Sequence, residues 1–74
     1  MPSGEVKPEW IEVLNLAFKE GLEDKVIAKR LGVVPRTVRY YWSKVQDVLG
    51  VYPEDGKSLR IQTEQRAREE GFID

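Results

Sequence analysis

The chain has neither cysteine nor histidine among its 74 residues. Without cysteine no disulfide can brace the fold. Without either residue the usual zinc ligands and the usual general bases are missing, leaving carboxylates, lysine and tyrosine as the titrating side chains. Long apolar runs are also absent, so no segment reads as a membrane span. The opening MPSGEVK lacks the basic-then-apolar layout of a secretion signal, and a soluble cytoplasmic protein is the expectation. Strand-like alternation and internal repeats are missing too, which leaves an all-α fold. A domain this short buries only ~60% of the surface its unfolded chain exposes, so a single small core of modest stability is expected.

One further absence is local. Residues 25–46, KVIAKRLGVVPRTVRYYWSKVQ, contain no Asp or Glu, yet they hold Lys25, Lys29, Arg30, Arg36, Arg39 and Lys44. The rest of the chain holds six basic and thirteen acidic residues, a balance of −7 that brings the whole to −1. Salt confines the field of exposed charges to about 8–10 Å, so the +6 run acts on its surroundings largely apart from the overall sum.

Four helices are predicted, after a flexible stretch over 1–7. The first spans roughly 8–20, with Pro8 in its first turn, an apolar stripe of Trp10, Val13, Leu14, Ala17 and Phe18, and Gly21 as its stop. Asp24, or Glu23 before it, can cap a second helix carrying Val26, Ile27 and Leu31, with the small Ala28 allowing close approach, and Gly32 ends it. Pro35 opens a third that runs to Leu49 before Gly50. On it Val38, Trp42, Val45 and Leu49 share one stripe, with Tyr41 and Val48 at its edge. The opposite face carries Arg36, Arg39, Tyr40, Ser43 and, further round, Lys44, while Asp47 lies a turn beyond. VYPEDGKSL reads as a loop with a tight turn over 53–56. A fourth helix covers about 60–70, and Phe72 and Ile73 fold back after Gly71.

The YYW cluster could form a stacking platform for single-stranded nucleic acid. Helical phase instead turns Trp42 and Tyr41 inward and leaves only Tyr40 on the wet face. Trp10 reads as a core or partner-contact residue, and Glu64, Glu69 and Glu70 as a solvated helix face. Catalytic carboxylates need a concave pocket to raise a pKa, which a chain this small does not promise. No catalytic residue, metal or cofactor is expected.

Two short helices joined by a turn of about four residues containing Gly are the helix-turn-helix arrangement, whose second helix enters the DNA major groove. The stretches GLEDKVIAKRLGVVPRTVRYYWSKVQDVLGV and RIQTEQRAREEGFI, taken together, resemble the LuxR-type helix-turn-helix family over nearly all of residues 6–73. Shared features are the GL pair, the Lys after the cap, the Ile-Ala pair, RLG, RTV followed by a base, and the closing LGV. The first helix, EVLNLAFKEGL, is one residue longer than the family spacing and is closer to the related region 4 of sigma factors. YPEDGKSL is an insertion before the last helix, and Thr63, Glu64 and Gln65 stand where the family has small apolar residues.

The resemblance implies a tetrahelical domain over 8–74, of the kind that often serves as the output module of a response regulator. Double-stranded DNA, bound as a homodimer, is the implied partner. Lys25 and Arg36 would touch phosphates, with Thr37 as a hydroxyl donor at the start of the third helix. Arg39 and Tyr40 would approach base edges, Ser43 would sit a turn deeper, and Lys44 would return to the backbone. Of Lys29 and Arg30, one is expected to face open solvent. A rival expectation, favoured by the −7 remainder and the polar last helix, keeps this fold as a protein-interaction module docking on RNA polymerase or another regulator.

Overall fold

The computed structural model describes residues 6–53 and 58–74. Helix α1 (Pro8–Leu14) runs on into a π-helical turn over Asn15–Lys19, and α2 (Asp24–Leu31), α3 (Pro35–Leu49) and α4 (Leu59–Glu69) follow. Among the described residues there are four helices and no strand, an all-α bundle as the lack of strand-like alternation predicts. Residues 1–5 of the expected flexible start and residues 54–56 of the expected tight turn lie outside the described residues.

The proline start signals and the glycine stop signals act where the sequence places them. Pro8 and Pro35 open α1 and α3, where a missing N–H costs no hydrogen bond. Ser58 caps α4, its hydroxyl accepting the Ile61 N–H at 3.4 Å. At the far ends, Gly32 (φ +73°) and Gly50 (φ +69°) take the left-handed conformation that ordinary side chains resist. Each reversal closes with the same pair of bonds. Gly32 and Val33 donate to the carbonyls of Lys29 and Ala28, and Gly50 and Val51 donate to those of Asp47 and Gln46. The apolar residue after the glycine is thereby turned back toward the core. Val51 is buried and Val33 half-buried.

The core joins all four helices: Trp10, Val13, Leu14 and Leu16, then Ile27 and Ala28, then Val38, Trp42, Val45 and Leu49, then Ala67 with Ile73 folded back. Ile27 and Ala28 let α2 seat against α3, whose buried face is the predicted stripe. Val6 also packs on this core.

Two expectations are corrected. The first helix does not keep its α phase to residue 20. Glu20 donates to the carbonyl of Asn15, five residues back, and Leu22 to that of Leu16. The wider turn holds one residue more than an α turn and re-phases the face, so Leu16 is buried while Ala17 is half-exposed. Leu16 thus joins the core while Ala17 and Phe18 still pack against it, which removes more apolar area from water.

Neither Glu23 nor Asp24 caps α2 with its side chain. Asp24 reaches across the bundle instead. Its Oδ1 accepts the Trp42 indole N–H at 2.9 Å, and both its oxygens accept Arg60 Nη2, at 2.9 and 3.0 Å. A buried indole N–H needs an acceptor, and this need outweighs a local cap. Arg60 completes the cluster by stacking its guanidinium carbon 3.9 Å from the centroid of the Trp42 ring. Three helices thus meet at one carboxylate.

On α4, Thr63, which stands where the resembled family has a small apolar residue, is buried. Its hydroxyl donates to the Leu59 carbonyl at 2.6 Å and accepts from Gln46 Nε2 at 3.3 Å, so the polar atom is satisfied inside the core.

A test of the carboxylate cluster follows. Asp24→Ala is expected to destabilise the protein by about 1–3 kcal/mol, since it strands the Trp42 N–H and releases Arg60. Asp24→Asn keeps an acceptor for the indole but loses the charge, and should fall between that variant and the parent. Urea midpoints read the order; an Asn variant as weak as Ala would mean that the ion pair alone matters.

Candidate nucleic-acid interface

The face of α3 turned from the core carries Arg36, Arg39, Tyr40 and Ser43, all exposed. By helical step Arg36, Tyr40 and Asp47 point farthest from the buried stripe, with Ser43 and Lys44 on either side of them. Arg39 lies on a flank, about 100° round from Val38, rather than fully opposite it. Gln46, which reaches Thr63, occupies the same flank two turns on, so α4 docks beside the line of Arg39 and leaves that side chain exposed.

Thr37 is half-buried in the first turn, its N–H already donated to the Val34 carbonyl at 2.9 Å. The hydroxyl is the group it can offer a ligand. Lys44 is half-buried as well, with its ammonium 5.8 Å from the centroid of the Tyr40 ring. That contact brings two of the expected residues into one unit. Lys25 is exposed on the first turn of α2, next to Asp24. Lys29 and Arg30 are exposed in its last turn, and Arg30 is occupied by Glu20 at 3.4 Å.

Charge pairing divides the basic residues into two groups. Lys19 meets Asp74 at 3.4 Å, Arg60 meets Asp24, Arg66 lies 4.0 Å from both Glu69 and Glu70, and Arg68 meets Glu64 at 2.7 Å. These four cations outside the basic run are balanced locally, while Lys7, also outside it, has no carboxylate partner among the described residues. Within the run, among the described residues, Arg30 alone has a carboxylate partner; Lys25, Lys29, Arg36, Arg39 and Lys44 have none. Among the described residues these charged donors have no carboxylate partner, and Asp47 lies on the same face about a turn beyond Ser43 and Lys44.

Val34, just before α3, is 59% exposed beside this face and was not among the expected contacts. Its signal is faint. In the turn VVP the first Val is spent on the reversal after Gly32, so the second projects outward. Among the described residues no group of His, Cys, Asp or Glu could hold a metal ion, and no helix is long and apolar enough to cross a membrane. Compared with known protein families, curated proteins and solved structures, the chain matches none.

Proposed function

We propose that the chain is a LuxR-type helix-turn-helix domain that binds double-stranded DNA in transcription regulation, with α3 in the major groove. What supports this is the uneven neutralisation of charge. Lys19, Arg60, Arg66 and Arg68, outside the basic run, are held by carboxylates, whereas Arg36, Arg39 and Lys44 on α3 have no carboxylate partner among the described residues and are available to a polyanion. The groove is about 12 Å wide and admits one α-helix. In this reading Lys25, Arg36 and Lys44 anchor phosphates, Thr37 adds a hydroxyl donor, and Arg39 and Tyr40 meet base edges with Ser43 behind them. Phosphate contacts fix register, and base contacts carry sequence information.

A second reading, docking on RNA polymerase or another regulator, is favoured by the exposed Tyr52 and Ile61 in the acidic remainder of the chain.

Selection from a random duplex pool supplies the ligand for the test. Guanidinium matches the O6 and N7 acceptors of guanine, and a bidentate pair discriminates by about 1–3 kcal/mol. Arg39→Ala should therefore relax preference at one base position and barely change the salt dependence. Lys44→Ala should weaken every duplex alike and flatten the slope of log K against log salt by about one unit. Equal weakening of all sequences by Arg39→Ala would make Arg39 a phosphate anchor and rotate α3 in the groove. A pool that yields no bound duplex would remove the DNA reading and leave the protein partner.

A further inference from the structure

Tyr40 is out of place on a face built from guanidinium, ammonium and hydroxyl groups. Trp42 is buried and Tyr41 half-buried, but the Tyr40 ring is 56% exposed. It is also held. The Lys44 ammonium sits 5.8 Å from its centroid, and the Tyr41 ring lies 6.1 Å away at 53°. A ring restrained on two sides presents a fixed apolar surface at little further entropic cost.

The base edges of the major groove are donors and acceptors with one exception, the 5-methyl group of thymine. We propose that Tyr40 reads a thymine methyl in the same half-site as the base pair addressed by Arg39, an inference that rests on the DNA-binding reading. Arg39 and Tyr40 are one step of about 1.5 Å apart along α3 and about 100° apart around it. Long side chains that diverge by this angle end several ångströms apart, so the two address separate base pairs of one half-site. The guanidinium takes the polar edge of one, and the ring covers the methyl of the other and displaces water from it. Burying one such carbon is worth about a four-fold change in affinity.

Uracil in place of thymine removes this methyl and leaves base pairing intact, so the test uses the selected duplex with its thymines replaced one at a time. For the parent chain, one position per bound domain is expected at which uracil weakens binding about four-fold. Tyr40→Phe keeps that difference, and Tyr40→Ala abolishes it while remaining folded by circular dichroism. Indifference of the parent to uracil at every position overturns the proposal. So does a thymine–uracil difference that survives Tyr40→Ala, or a Phe variant that behaves like Ala, which would assign the contact to the hydroxyl. Failure of the parent to bind any duplex defeats the DNA reading itself, whereas selective binding that ignores uracil defeats the methyl contact alone.

Discussion

Trp42→Ala is expected to leave the chain largely unfolded at room temperature. The side chain is only 5% exposed at the centre of the α3 stripe, and it holds three partners at once. Phe18 meets it edge-on with centroids 5.5 Å apart, Asp24 accepts its N–H, and Arg60 stacks on its face. Removing a buried Trp costs about 3–5 kcal/mol. Small domains sit near the low end of the usual ~5–15 kcal/mol of total stability, so that loss takes most of it. Far-UV circular dichroism and urea unfolding read the outcome, with Trp42→Phe retaining the ring and giving a folded, weakened protein. A cooperative, fully folded Trp42→Ala that lost only duplex binding would put Trp42 on the outer face and the basic residues inside it.

Arg36→Glu combined with Arg39→Glu should do the reverse, abolishing duplex binding while leaving the fold intact. Both side chains are exposed, and among the described residues neither has a carboxylate partner to lose. Surface changes of this kind alter stability by about 0.5 kcal/mol or less. Each charge-assisted hydrogen bond to DNA contributes about 1.5–3 kcal/mol. Two lost together amount to a hundred-fold or more at 1.4 kcal/mol per tenfold, before repulsion from the phosphates is added. The parent itself should show the electrostatic signature. Three cation–phosphate contacts give a slope near −2.7 in log K against log salt, so a four-fold rise in salt weakens binding about 40-fold. A double variant that still binds duplex within ten-fold of the parent would sink the α3 interface. A parent complex insensitive to salt would favour a protein partner.

Much of the bundle was legible because its signals are local. Pro35 and Gly50 bracket α3 within one residue, and the three- and four-residue recurrence of Val38, Trp42, Val45 and Leu49 identifies its buried face. The return of Ile73 to the core also follows from a glycine ahead of an apolar pair. What escaped depends on contacts between distant residues. Nothing near Asp24 says that it answers an indole 18 positions away rather than its own helix end. The donor that answers the buried Thr63 hydroxyl, Gln46, comes from another helix 17 positions away. The shift to Leu16 at the core is a choice between two turn widths, which a fixed period cannot express. Arg36, Arg39, Tyr40, Ser43 and Lys44 were placed together from helical phase and Thr37 from the family resemblance, yet the hold of Lys44 on Tyr40 needed coordinates.

The wide turn over Asn15–Lys19 makes chain length negotiable at one point in the bundle. Deleting a residue from a continuous α-helix rotates everything beyond the cut by about 100° and strips its buried face from the core. Here the surplus residue is already accommodated as a bulge. A chain shorter by one at this point closes the turn as ordinary α-helix, with Trp10, Val13 and Leu14 still seated before it and Ile27 after it. Two proteins whose first helices differ by a single residue can therefore present the same α2–α3 pair to the same ligand.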